Sequence, residues 1–199
     1  MIAAMTLLVL GLVLFLGIHS VRIVADDWRG RVIAARGALA WRGAYSLASI
    51  TGFVLLCIGF GQARLQPVVL WSPPPWTHYA AAPLTLLAFI LVTAAYVPAN
   101  GIKARVKDPM ILGVKTWALA HLLANGTLAD VVLFGGFLAW AVLDFRAVRQ
   151  RRRAGREAPV AAPRRGRSAI TVVAGVLAWM LFAFHLHLPL IGVQPIPWH

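Results

Sequence analysis

The sequence is poor in cysteine and in acidic side chains, and both shortages exclude classes of protein. Cys57 is the only cysteine, so neither an internal disulfide framework nor a cysteine zinc cluster can form. Aspartate and glutamate together number six, and the apolar segments contain no closely spaced pair of carboxylates for acid–base catalysis. The sequence has no HExxH zinc helix, nucleotide-binding loop or serine-elbow motif. It also has no internal repeat, which argues against an inverted-repeat transporter.

Apolar side chains, in contrast, are abundant. Of 199 residues, 60% are hydrophobic and 13% are charged, whereas soluble domains average about 45–50% and 25%. A soluble core of this size could not bury so much apolar surface. We therefore predict a single integral membrane domain over residues 1–199, an all-α, polytopic transmembrane bundle of about six helices. The predicted helices are 2–21, 39–62, 80–98, 109–125, 128–145 and 168–188.

The basic residues lie mainly between these segments and give a formal net charge of +13. Of the 19 lysines and arginines, only Arg64 lies on the second or fourth connection. Basic connections stay in the cytoplasm, so we expect both termini on the non-cytoplasmic side. The fifth connection, 146–168, is rich in arginine and is expected to be a mobile cytoplasmic loop that contacts membrane lipid, not nucleic acid. The first helix lacks a basic start and a cleavage site, so we expect it to be retained.

The fourth segment, "DPMILGVKTWALAHLLANG", places polar side chains within an apolar helix. Residues four apart in a helix form one slowly drifting stripe. In this segment the stripe comprises Pro109, Gly113, Trp117, His121 and Asn125. Gly113 removes bulk and permits a close approach to the backbone, while His121 and Asn125 offer polar atoms on the same face. We take Gly113, Trp117 and Asn125 as candidate supporting residues for His121.

Two further patterns predict a helix boundary and a helix contact. "NG" at 125–126 predicts a helix end, and Thr127 followed by Asp130 predicts a capping box at the start of the next helix. We therefore interpret Asp130 as structural. In the second helix, small residues recur at every fourth position and predict close packing of another helix: Ala40, Ala44, Ala48 and Gly52.

Histidine is the side chain in these segments best suited to chemistry. Ionisable residues within membrane helices usually face the bundle interior and often mark function. His121 lies well inside its segment, His19 lies near the end of the first, and His185 lies toward the end of the sixth. An imidazole in such surroundings can hydrogen-bond to another helix, transfer protons or ligate haem iron. The spacing alone leaves these three uses open.

The fourth segment also resembles the signature of the NnrU family, "HPMxxGxxxWAxAHLxxNG". The "HS" pair at 19–20 and "RGAYSL" at 42–47 are similar to further family positions. The resemblance implies a multi-pass protein of the bacterial inner (cytoplasmic) membrane, and some members are associated by genome context with nitrite and nitric oxide metabolism. The family is similar to the plant cis-zeta-carotene isomerase, a membrane enzyme that uses haem b.

The resemblance to this isomerase implies that His19 and His121 are the axial ligands of haem iron. Two positions depart from the pattern: Asp108 stands where the family has histidine, and Ala118 stands where the isomerase has cysteine. A helix rises about 1.5 Å per residue, which sets His121 deeper in the membrane than His19. We therefore keep His185 as a rival partner for His121.

Three functions follow from these observations. The first is a haem b enzyme, isomerase-like or redox, acting on a small lipid-soluble substrate. The second is a non-catalytic accessory protein that supports nitrite and nitric oxide (denitrification) metabolism beside respiratory or denitrification proteins, on the family association alone. A further alternative is a relative, in fold, of isoprenylcysteine-type methyltransferases: "KARVKDPMILG" resembles their "RHPxYxG" motif, but its missing histidine and tyrosine argue against that activity. Transport ranks last.

Overall fold

A computed structural model describes residues 2–195, so the predicted domain 1–199 extends beyond the described range at both ends. The helices are α1 (Ile2–Val24), α2 (Asp26–Leu65), α3 (Trp76–Tyr96), α4 (Gly101–Val106), α5 (Pro109–Ala124), α6 (Leu128–Arg153), α7 (Arg167–Leu181) and α8 (His187–Ile191), with a π-helical turn at Phe182–Leu186. Five helical stretches are long and apolar enough to cross a membrane, the last being Arg167–Ile191. The apolar α5 is shorter, at 16 residues. The all-helical fold is confirmed, and each predicted segment lies on a helix.

The second helix differs from its prediction because it begins at Asp26, well before residue 39. Asp26 and Asp27 occupy its first turn, where negative charge interacts favourably with the positive end of the helix dipole. Gly37 interrupts the helix with φ 82° and ψ 155°, a conformation that a side chain would strain. The residues between the first two apolar segments thus form a short arginine-rich helix that ends at a glycine, and not the predicted loop.

The described residues divide into two compact units, and the first contains α1, α2 and the part of α6 through Asp144. In this unit α1 packs closely on α2. A Cβ atom added to Gly59 would meet the backbone of Leu8, and one added to Gly52 would lie 2.7 Å from the backbone nitrogen of Phe15. Such close backbone approach supplies van der Waals contact where lipid provides no hydrophobic driving force.

The contact stripe on α2 lies further along the helix than predicted. Ala40 and Ala44 are exposed, so only the end of the predicted stripe lies in the contact. The buried residues of the helix are Gly52, Leu56, Gly59 and Ala63. These residues continue the spacing of three and four that keeps side chains on one helix face. The predicted stripe thus reaches the contact at Gly52, and the contact continues along the helix beyond the predicted residues.

The sixth helix begins with the predicted capping box. The carboxylate of Asp130 accepts hydrogen bonds from the backbone nitrogen and Oγ1 of Thr127, at 3.1 and 2.6 Å. Thr127 Oγ1 in turn accepts from the backbone nitrogen of Asp130 at 3.3 Å. Asp130 is buried, and these bonds satisfy its charge. The structural interpretation of Asp130 is therefore confirmed.

The second unit contains α3, α4, α5, and the chain from Phe145 onward. Both α5 and α7 pack on α3. A Cβ atom on Gly113 would lie 3.1 Å from a backbone oxygen of α3, and one on Gly175 would lie 2.8 Å from Ile90 Cα. Trp179 Nε1 donates to Thr85 Oγ1 at 3.0 Å. Gly113 thus permits the close approach that its place in the sequence predicts, and the neighbour that approaches it is α3.

The arginine-rich segment 146–168 begins as a continuation of α6, which ends at Arg153. Arginine is a good helix former, and positive charge in a last turn interacts favourably with the helix dipole. Arg151 Nε bonds Glu157 Oε1 at 2.6 Å, and the Arg164 backbone nitrogen donates to the Ala99 oxygen at 2.9 Å. These bonds connect the segment to itself and to the chain after α3, and its mobility stays a prediction.

Candidate functional site

His121 lies in the last turn of α5, half-buried beside Trp117. Its Nδ1 atom lies 2.9 Å from the backbone oxygen of Trp117, one turn earlier. A carbonyl oxygen can only accept, so Nδ1 carries the proton, and in the neutral ring Nε2 carries the lone pair. The rings of Trp117 and His121 lie with their centroids 5.0 Å apart. This tautomer is the one that ligates a metal through Nε2.

The residues of the predicted stripe share a face of α5 that is not exposed. Pro109 and Gly113 are buried, while Trp117, His121 and Asn125 are half-buried. Asn125 follows the last residue of the helix with φ −129° and ψ 149°, which confirms the predicted helix end. Its Nδ2 donates to the backbone oxygen of His121 at 2.8 Å. The His121 oxygen also accepts from the backbone nitrogen of Asn125 at 2.9 Å, so the amide of Asn125 adds a second bond at the end of α5.

His19 lies near the end of α1 in the first unit and has the same local arrangement. Its Nδ1 atom lies 2.7 Å from the backbone oxygen of Phe15. The acceptor is again a carbonyl, so Nδ1 again carries the proton, and in the neutral ring Nε2 carries the lone pair. The neighbouring Ser20 bonds similarly, with Oγ donating to the oxygen of Leu16 at 2.7 Å. Both residues of the "HS" pair therefore form hydrogen bonds to the preceding turn.

Aromatic rings from three helices surround His19. The centroid distances are 4.3 Å to Phe15 on α1, 5.2 Å to Tyr45 on α2 and 6.1 Å to Trp140 on α6. Trp140 Nε1 is buried and has no hydrogen-bond partner. Sequence reasoning missed both Tyr45 and Trp140 as site residues. Tyr45 lies within "RGAYSL", which carried a signal, whereas Trp140 lies in an apolar run that carried none.

The remaining histidines differ from these two. His185 lies in the π-helical turn and is exposed, and His187 Nδ1 lies 2.7 Å from the oxygen of Val193. His19 belongs to the first unit, whereas His121 and His185 belong to the second. Among residues 2–195, no three His, Cys, Asp or Glu side chains are grouped to hold a metal ion. Axial ligation of haem requires only two side chains, so this finding does not bear on it.

Comparison with known proteins agrees with the motif in the fourth segment. A family model described as "NnrU protein" matches residues 7–195. The chain therefore belongs to the NnrU family. No curated protein and no solved structure matches it.

Proposed function

We propose that this NnrU-family protein binds haem b between membrane helices through Nε2 of His19 and Nε2 of His121. The observation that supports the proposal most is that each of the two rings makes the same kind of hydrogen bond to its own helix. Each Nδ1 lies within hydrogen-bond distance of the carbonyl oxygen one turn earlier, at 2.7 Å for His19 and 2.9 Å for His121. In metal-bound histidines such a bond fixes the tautomer and the ring orientation and raises the basicity of the ligating nitrogen. Both residues also match the ligand positions that the resemblance to the isomerase implies.

The surroundings of His19 fit a flat aromatic cofactor. Phe15, Tyr45 and Trp140 present rings near the imidazole, and aromatic groups interact favourably with other π systems face-to-edge or offset. The buried Trp140 Nε1 is a donor that a bound polar group could satisfy. Bound haem would supply redox or isomerisation chemistry for a small lipid-soluble substrate. The part of the protein would be to orient that substrate and to exclude water.

An absorption spectrum of the purified full-length protein, expressed with haem supply, tests the proposal. We expect a Soret band in the wild-type protein and its loss in His19→Ala and in His121→Ala. His78→Ala should retain the band, because His78 lies at the start of α3 and is not a predicted ligand. His185→Ala should also retain the band. Loss of the band in His185→Ala, with retention in His19→Ala, would identify His185 and not His19 as the partner of His121.

A second measurement separates ligation from a structural role. His121→Gly removes the imidazole and leaves space in which free imidazole can bind. Restoration of the Soret band by millimolar imidazole would identify position 121 as a ligand. A wild-type protein without Soret absorption would overturn the proposal and favour the non-catalytic accessory function in nitrite and nitric oxide metabolism.

We also infer that the protein lies in the bacterial inner membrane with both termini on the non-cytoplasmic side. The concentration of basic residues on alternate connections supports this orientation. Alkaline phosphatase fused after residue 199 should be active, and a fluorescent protein inserted between residues 157 and 163 should fluoresce in the cytoplasm. The reverse pattern would contradict the orientation and leave the haem proposal untouched.

A further inference from the structure

A cavity of about 510 Å³ lies in the second unit, where the end of α6 meets the connection between α4 and α5. None of the histidines described above lines it. Five basic side chains and one carboxylate line it: Arg105, Lys107, Arg149, Arg152, Arg153 and Asp108. We call this the basic cavity. With five cations against one anion, its interior carries a positive potential that attracts anions.

Asp108, the single carboxylate, satisfies only part of the hydrogen-bonding capacity of its partner, Arg152. Asp108 Oδ1 accepts a hydrogen bond from Arg152 Nη2 at 2.6 Å. Arg152 Nε is also buried, and it has no hydrogen-bond partner. A buried donor of a charged group without an acceptor is costly, and a bound anion would remove that cost. Asp108 therefore occupies one nitrogen of Arg152, while Nε of Arg152 keeps a donor for a ligand.

The other cations are accessible from outside the protein. Arg105, Lys107, Arg149 and Arg153 are exposed although they line the cavity. Arg149 is also positioned by an aromatic ring, with its guanidinium carbon 5.4 Å from the centroid of Phe145. Lys107 ends α4 with φ 68°, a conformation that few non-glycine residues adopt. These side chains are thus placed by the fold around an opening that a ligand can enter.

We propose that the basic cavity binds a phosphate group, either in the headgroup of an anionic phospholipid or as inorganic phosphate. A phosphate offers several acceptor oxygens, and arginine guanidinium groups bind it through paired, charge-assisted hydrogen bonds. Basic pockets between membrane helices on the cytoplasmic side are suited to lipid headgroups. The volume is sufficient for such a group, since small-molecule sites span roughly 300–1,000 Å³.

Binding measured on the full-length protein in detergent tests this site, with native mass spectrometry as the readout. The probes are phosphatidylglycerol, phosphatidylcholine and inorganic phosphate. The variant Arg149→Gln/Arg153→Gln removes two charges from the basic cavity. Arg164→Gln/Arg165→Gln removes two charges from exposed residues of the same arginine-rich segment that do not line the cavity. The two double variants therefore have the same net charge.

We expect the cavity variant to bind the anionic probe about 25-fold more weakly than the wild-type protein, from roughly fivefold per basic side chain. The matched control should change by less than about threefold, because it affects only the surface potential. Phosphatidylglycerol binding without binding of inorganic phosphate identifies a lipid headgroup, and the reverse identifies the free anion. Equal weakening in both variants, or no binding of either anionic probe, would overturn the proposal.

A variant that is expected to bind the anionic probe more tightly controls for the loss of binding that misfolding would cause. Asp108→Asn removes the negative charge of the cavity and releases Arg152 Nη2 for the ligand. We expect about fivefold tighter binding of the anionic probe, by the same reasoning for one unit of charge. Unchanged or weaker binding at an unaltered melting temperature would contradict the placement of the ligand beside Arg152.

Discussion

His19 and His121 each make a hydrogen bond to the preceding turn of their own helix. They differ in which elements supply the residues around the ring. The rings around His19 come from α1, α2 and α6, so its environment depends on the packing of three helices. Two hydrogen bonds at His121 lie within α5 and its C-terminal cap, from Trp117 before it to Asn125 after it. They form as soon as α5 forms. The comparison shows that a short motif can fix a histidine tautomer by itself, whereas an aromatic enclosure requires tertiary structure.

The largest effect is expected from breaking the contact between α1 and α2. Gly59→Val would place side-chain atoms on the backbone of Leu8, which cannot move aside as a side chain can. We expect a loss of about 3 kcal/mol or more in the free energy of unfolding, at the upper end of overpacking effects. In proteins labelled with ¹⁵N-histidine, the imidazole signals of His19 should shift, while those of His121 should stay.

Gly61→Val is the matched control for this prediction. It makes the same change in helix propensity two residues away, where an added Cβ meets no atom within 4 Å. Its unfolding free energy should stay within about 1 kcal/mol of wild type. Equal losses in the two variants would show that the helix contact contributes nothing at position 59.

Removing one ring from the enclosure should have the next largest effect. Tyr45→Ala deletes the ring 5.2 Å from His19 and 6.5 Å from Trp41. We expect a loss of about 1–2 kcal/mol, the contribution of a partly buried aromatic pair and its area. Tyr45→Phe keeps the ring and should be near neutral. If Tyr45→Phe is as destabilising as Tyr45→Ala in thermal unfolding, the hydroxyl and not the ring is responsible.

Loss of the capping box should act on His19 indirectly, because α6 carries Trp140. Thr127→Ala removes the Oγ1 bonds to Asp130 and should cost about 1 kcal/mol. Thr116→Ala is the control, since its Oγ1 bonds only the oxygen of Leu112 within α5. Thermal unfolding of the two variants should therefore differ. A control that is as unstable as Thr127→Ala would argue against a special role for the cap.

The smallest effect is expected at the end of α5. Asn125→Ala removes the 2.8 Å hydrogen bond to the His121 oxygen and should cost about 0.5–1 kcal/mol, measured by thermal unfolding. The ¹⁵N signals of the His121 ring should still report a protonated Nδ1, since that bond goes to Trp117. A change of tautomer in Asn125→Ala would show that the bond from Nδ1 of His121 to Trp117 depends on the cap.

The helices were predicted well where the length of an apolar run determines them. They were predicted less well where charged residues extend them. Each of the six apolar segments lies on a helix. The helical residues before Gly37 and those after 145 were missed, because their arginines were interpreted as marking connections. Arginine marks the end of an apolar span, yet it also favours helix, so a helix can continue past the point where its apolar residues end.

Residues of the candidate sites were predictable when their partners lie within one or two helical turns. The stripe through His121 and the capping box at Thr127 were found by spacings of four and three. The rings of Tyr45 and Trp140 lie on different helices from His19, and no local pattern connects them. The same holds for Arg152 and Asp108, which are 44 residues apart and were interpreted separately, as a topology signal and as a departure from a motif.

The π-helical turn at Phe182–Leu186 sets the direction in which the final part of the described chain faces. Such a turn accommodates one extra residue, which corresponds to about 100° of rotation around the helix axis. The side chains of α8 therefore project from a different side than the spacing of α7 alone would give. The rings of His187 and Phe182, which are five residues apart across this turn, meet edge to face with their centroids 5.7 Å apart. A deletion of one residue in the turn would rewind the helix and swing α8 around its axis without altering any of its side chains.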